Sequence, residues 1–246
     1  MAPSVSQPDI AAFGPLANSK GHSVNEDLSA RFEAIVTPVL FKDGYELVGP
    51  LVYKARWGSP DVEHLVFFEA GGKTEGLFSG AFGIRNREAE AFSIDAIRRY
   101  GGPPLKYNQH TSCTMRFSFH LIHPPFFALY TARLPDSEIS TPIQHVVSQH
   151  IRPAMSKVTT MGQFMSLLIE NERPCLWAVT NGAIRAAQIV VLASKSGLCP
   201  DRIRAMLEPR LVFIANGFFN NSQFRENPAS YVDRLLADRT DAETSK

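Results

Sequence analysis

The chain has 246 residues, 44% of them hydrophobic and 20% charged; that composition suits one folded domain and excludes fibrous or wholly disordered classes. Its 25 Lys and Arg against 24 Asp and Glu give a net charge of +1, so no overall field draws it to nucleic acid or anionic lipid. The start of the chain lacks the pattern of a secretory signal, no apolar run is long enough to span a bilayer, and Cys113, Cys175 and Cys199 suit reduced thiols better than a disulfide framework or a zinc set, so a soluble cytoplasmic protein is expected.

Residues 1–23, rich in Pro, Gly and Ser, read as a disordered tail. A helix is predicted over 25–42, with Asn25 as cap, Glu26 and Asp27 at the positive end of its dipole, and Leu28, Phe32, Ile35, Val36, Val39 and Leu40 on one face. Pro38 is expected to kink or split it. Residues 45–57 form two strand pieces around Gly49-Pro50. A strand over 62–70 places Val62, Val66 and Phe68 on one face and Leu65 and Phe67 on the other, as in a strand covered on both sides. Residues 71–76 read as a hairpin loop, and 77–84 as the returning strand, whose Ser79, Gly80, Ala81 and Gly83 leave room for close packing. A helix follows over 88–100. The next strand, 113–122, alternates Cys113, Met115, Phe117, Phe119 and Leu121 with Thr114, Arg116, Ser118 and His120, and Pro124-Pro125 stops it. The later pattern is helical, over 142–157, 161–172, 183–196, 200–216 and 229–238; the polar residues 239–246 are expected to fray.

Strands first and helices later argue for an α+β fold: an antiparallel sheet in the N-terminal half packed with a mostly helical C-terminal half. The expected organisation is a single domain over 24–238, with helix and sheet in 24–125 and helices in 139–238. The opening helix from Phe32 to Leu40 with Pro38 inside it, then Gly44-Tyr45, Gly49, Tyr53, Arg56 and Gly80-Ala81-Phe82-Gly83-Ile84, carry a likeness: residues 28 to about 100 resemble a bacterial domain-of-unknown-function family, number four thousand three hundred and four. The resemblance implies the fold class and brings no activity with it.

No complete catalytic signature stands in the sequence. Gly72-Lys73-Thr74 is like the end of a phosphate loop, but Phe67 stands where that loop needs glycine and a strand follows instead of a helix, so a hairpin turn is expected. Ser79 is off-centre for a nucleophile elbow. His120 and His123 lack further metal ligands, so no metal site and no cofactor are expected. His145 and His150, five apart, do not share a helical face and read as solvent or capping residues. Residues 85–90, Arg-Asn-Arg-Glu-Ala-Glu, read as a charged helix start on the surface, with Glu88 and Glu90 on the dipole. Phe218 and Phe219 are expected to anchor a loop in the core. Arg116, Ser118 and His120 make a polar stripe. With Lys54 and Arg56 on a neighbouring strand they would form a basic, hydrogen-bonding sheet face that binds an anion or a partner, and the ordinary solvated face of an antiparallel sheet is the competing reading.

The expected function is therefore that of a bacterial binding or regulatory protein acting through a protein partner, with an immunity-like neutraliser as one form. The alternative is a hydrolase or transferase that uses His120 or His123 for acid–base work and Arg116 to hold an anion. Nucleic-acid binding ranks below both, because the charge is balanced.

Overall fold

A computed structural model of the chain describes residues 24–71, 76–101, 112–119, 129–169, 181–218 and 221–244. The tail 1–23, Lys73, His120, His123, Cys175 and Phe219 lie outside the described residues.

Helix α1, Val24–Lys42, runs through Pro38 without the expected break. Its Glu33 carboxylate accepts the Leu51 N–H at 2.7 Å, and Thr37 meets the Tyr53 hydroxyl at 2.9 Å, so the helix is tied to the turn between the first two strands. That turn places Leu51 at φ 55, a left-handed conformation that disfavours a branched side chain, and the Glu33 bond holds it there. Strands β1 (Tyr45–Gly49), β2 (Val52–Ala55), β3 (Glu63–Ala70) and β4 (Leu77–Arg85) pair antiparallel in chain order. Helix α2 (Arg87–Tyr100) follows, then β5 (Met115–Ser118) and β6 (Leu129–Thr131), which share the far side of β4 end to end. Among the described residues the result is a six-stranded antiparallel sheet with β1 at one margin.

Helix α3, Asp136–Val146, begins earlier than the pattern predicts and holds Pro142 inside it. It continues through a π turn, Val147–Ile151, into a last α turn, Arg152–Met155. Helices α4 (Met161–Ile169), α5 (Gly182–Lys195), α6 (Pro200–Leu207), α7 (Leu211–Ala215), α8 (Ser222–Glu226) and α9 (Pro228–Thr244) complete the fold. The polar end expected to fray from 239 is helical to Thr244, because Arg239 is buried and pairs with Glu88 of α2. The α+β class holds, with the antiparallel sheet in the N-terminal half and most helices in the C-terminal half.

Phenylalanine joins the layers. Phe32 of α1 stacks on Phe78 of β4 at 4.2 Å and meets Phe68 of β3 edge-on at 5.3 Å. Phe68 in turn meets Phe119 at 5.7 Å, and Phe82 stacks on Phe117 at 5.0 Å. The small residues of β4 are used as their size suggests: a Cβ on Gly80 would stand 2.6 Å from the Phe119 ring. One contiguous apolar cluster runs from Phe32 through the sheet to α5, whose residues are buried nearly all round, and on to Tyr231 and Leu235 of α9. Phe218 is buried against Tyr231 at 4.7 Å, as a loop anchor should be.

Candidate functional site

Parity along the strands decides which side chains share a face. Lys54 of β2 is opposite Leu65 of β3, Leu65 is opposite Gly83 of β4, and Gly83 is opposite Arg116 of β5. Lys54 and Arg116 therefore lie in one row on the face turned away from α1, and Ser118 lies in the next row with Ala81, Phe67 and Val52. They share a face, as the alternation suggests, but three strand spacings put Lys54 and Arg116 about 14 Å apart. The ground between them is apolar. Val52, Leu65, Phe67 and Ala81 form a second buried cluster, with Cys113 packed against it.

The expected basic stripe is thus split. Arg116 is committed: its guanidinium bonds both oxygens of Glu69, at 3.1 and 2.5 Å, and lies 4.9 Å from the Phe67 ring centre. Ser118 is half-buried beside it, and His120 lies outside the described residues. Lys54 and Arg56 belong to the opposite end, where they flank Glu46 of β1 at 3.6 and 4.0 Å.

Lys54 and Arg56 line an open cleft of about 390 Å³ together with Glu46, Trp57, Ser59 and Glu63. The wall is built by the turn that leads from β2 to β3. Gly58 takes φ 114 there, which only glycine accepts readily, and a short bridge joins Ser59 to Val62. Trp57 is held from behind by the rings of Tyr45 and His64, at 6.0 and 4.8 Å. His64 is fully buried beneath this turn, and among the described residues no hydrogen bond of good geometry reaches either ring nitrogen. Burial pulls its pKa down to about 4, although the nearby Val158 backbone opposes the shift, so the ring is neutral at pH 7.

The start of α2 is not the solvated surface that its charge pattern predicts. Arg85, Asn86 and Glu90 are buried. Asn86 caps the helix by accepting the Ala89 N–H at 2.8 Å, while its own side-chain N–H donates to the Asp61 carbonyl at 2.8 Å. Arg85 and Arg87 both bind Glu63, at 2.6 and 3.1 Å. Burial alone would raise Glu63, but the hydrogen bonds from Arg87 and Arg85 prevail and hold it below the ordinary carboxylate range. Glu88 pairs with Lys195 at 3.0 Å and with Arg239 at 2.5 Å, which outweighs its burial and brings its pKa down to about 2.

Glu90 is the exception in this belt. Among the described residues neither of its oxygens has a hydrogen-bond partner. Burial pushes its pKa up to about 7; Arg85 pulls against that shift and Glu63 adds to it. Cys113 lies over Gly83, where a Cβ would stand 2.5 Å from its sulfur, and burial followed by the Glu90 charge drives its pKa far up. It is a packed thiol, not an activated nucleophile.

His145 is exposed, as expected of a solvent residue, but its relation to His150 departs from expectation. The π turn between them changes the residue period, and their rings come 5.5 Å apart, edge to face. Among the described residues no three His, Cys, Asp or Glu side chains are grouped as metal ligands, and no helix is long and apolar enough to cross a membrane. The sequence signal for the buried Glu90 was its spacing: Glu90, Ser93, Ile97 and Tyr100 recur at helical intervals and all are buried. No family model, curated protein or solved structure matches the chain.

Proposed function

We propose that this chain is a binding protein that acts through a protein partner, and that its docking element is the free margin of β1. The observation that carries the reading is a strand edge, unpaired among the described residues, beside exposed apolar side chains: Leu47 and Val48 of β1 are 40% and 38% exposed, and Phe41 at the end of α1 is 43% exposed. The Arg56 N–H bonds the Gly44 carbonyl, which sets the alternation of the ladder. Glu46, two residues on, turns its backbone groups toward β2, whereas Tyr45 and Leu47 turn theirs off the sheet. A row of outward N–H and C=O groups beside exposed apolar side chains is what an extended peptide needs to add a strand. The occupant is an extended segment of a partner protein, apolar where it faces Leu47.

The hydrolase or transferase reading has less support, since Arg116 is occupied by Glu69 and stands three strands from Lys54 and Arg56. The test is affinity capture from the native host with the wild-type chain and with Leu47→Lys. The wild type should recover a partner in stoichiometric amount, the variant should lose it at an unchanged thermal midpoint, and the Tyr45 and Leu47 amides should gain exchange protection in the complex. A partner retained by the variant without that protection removes the β1 assignment. No partner at all removes the function.

A further inference from the structure

The cleft at the β2–β3 turn has a charge balance that points to its own ligand. Of its two carboxylates, Glu63 is already neutralised by Arg85 at 2.6 Å and Arg87 at 3.1 Å. Among the described residues Lys54 and Arg56 share the carboxylate of Glu46, at 3.6 and 4.0 Å, and Arg56 also lies over the Phe41 ring at 5.3 Å. Those ion-pair separations are well beyond the roughly 2.8 Å of a charge-assisted hydrogen bond, so among the described residues the N–H donors of both cations are mostly unspent. Among the described residues the cleft therefore carries an excess of positive charge, beside the half-buried Trp57 ring, which is fixed by Tyr45 and His64. Its volume of about 390 Å³ is in the range of small-ligand sites.

We propose that this cleft binds an organic monocarboxylate, with the carboxylate between Lys54 and Arg56 and its apolar body on Trp57. Two cations beside one apolar ring match a carboxylate carried on an apolar body. A phosphate dianion would set its second charge against Glu46 and leave Trp57 uncovered. The same chemistry is offered by a small free acid and by the C-terminal carboxylate of a peptide. The site borders the β1 margin through Glu46, but its donors are the side chains of Lys54 and Arg56 and not the outward backbone groups of β1, so occupation of either does not require the other.

The test is a titration of the full ¹⁵N-labelled chain followed by NMR, with benzoate, benzamide, inorganic phosphate, and acetyl-Gly-Phe with a free or an amidated C-terminus as probes. Benzoate should give saturable shifts at the Trp57 indole N–H and at the amides of Gly58 and Ser59, and benzamide should give none. Lys54→Gln and Arg56→Gln should each weaken benzoate by about tenfold, since each removes one charge-assisted contact. Both side chains are partly exposed, so the folded state should persist. A free-acid peptide that binds more tightly than benzoate assigns the site to a chain terminus, and the reverse order assigns it to a small acid. Equal shifts with benzamide, shifts scattered over the surface, affinity unchanged in both variants, or phosphate binding more tightly than benzoate would each overturn the proposal.

Discussion

Glu90 gives the sharpest test of the structure, because its cost depends on pH in a way that few other residues share. The carboxylate is buried on α2 without a hydrogen bond among the described residues, and its pKa is raised from 4.5 to about 7, first by burial. A raised acid pKa means that the folded chain holds a proton which the unfolded chain has released. Below 4.5 both states are protonated and Glu90 contributes nothing to the pH slope; between 4.5 and about 7 stability falls as pH rises; above about 7 the whole cost of a buried charge is present. The gap corresponds to roughly 3 kcal/mol. Glu90→Gln keeps the shape of the side chain and removes the titration. Urea unfolding of both proteins across this window should show the variant gaining on the wild type as pH rises, by up to roughly 3 kcal/mol once the wild-type carboxylate is ionised. Any pH-independent cost of the buried amide shifts both ends equally and leaves that gain intact. A stability difference that stays constant across the window would refute the assignment of Glu90 as a buried, unpartnered acid.

His64 should show the opposite slope: its pKa falls from 6.5 to about 4, so the unfolded chain takes up the proton first and stability is lost as pH drops through that range, by roughly 3 kcal/mol. His64→Phe should flatten this acid limb in urea melts, and an unchanged limb would show that His64 is not the neutral buried ring described. Gly83→Ala should destabilise by about 3 kcal/mol, since its Cβ would stand 2.5 Å from the Cys113 sulfur and 2.6 Å from the Met115 carbonyl, which the β4–β5 ladder holds in place. By contrast, Gly162→Ala in α4 meets nothing within 4 Å and should stabilise by up to about 1 kcal/mol; chemical denaturation of the pair checks the contrast. Arg116→Ala should cost under about 1 kcal/mol despite its two bonds to Glu69, because both side chains are substantially solvated, and a larger loss in thermal melts would place Arg116 in a drier site than the one seen.

The alternation of 113–122 put Arg116 and Ser118 on one face, and the β4–β5 ladder keeps them there, because parity is local and survives folding. The distance of Lys54 and Arg56 from them was not legible, since it depends on β3 and β4 lying between, and strand order is a property of long-range pairing. The double-sided apolar character of residues 62–70 pointed to the second cluster of Val52, Leu65, Phe67 and Ala81, and small size at Gly80 and Gly83 foretold the close approach of Phe119 and Cys113. The charged start of α2 misled, because Arg85 and Asn86 are ordinary surface residues by type and become buried only through tertiary partners, Glu63 on β3 and the Asp61 carbonyl. The His145–His150 contact escaped for a different reason: a π turn changes the period from within, and no residue type marks it.

The cleft and the head of α2 meet at Glu63. One side of this residue lines the cleft that holds Lys54 and Arg56, and its carboxylate is bound by Arg85 and Arg87 at the head of α2. If those arginines were absent, Glu63 would balance Lys54 and Arg56 together with Glu46, and the cleft would carry no excess charge. Its preference for an anion is therefore set by the buried ion pair behind it and not by the two visible cations alone. That dependence also explains why residue type misled there. Lys54 and Arg56 look like half of a basic stripe completed by Arg116, yet what makes their end of the face positive is a pair of arginines at the end of β4 and the start of α2, where they were read as surface charge.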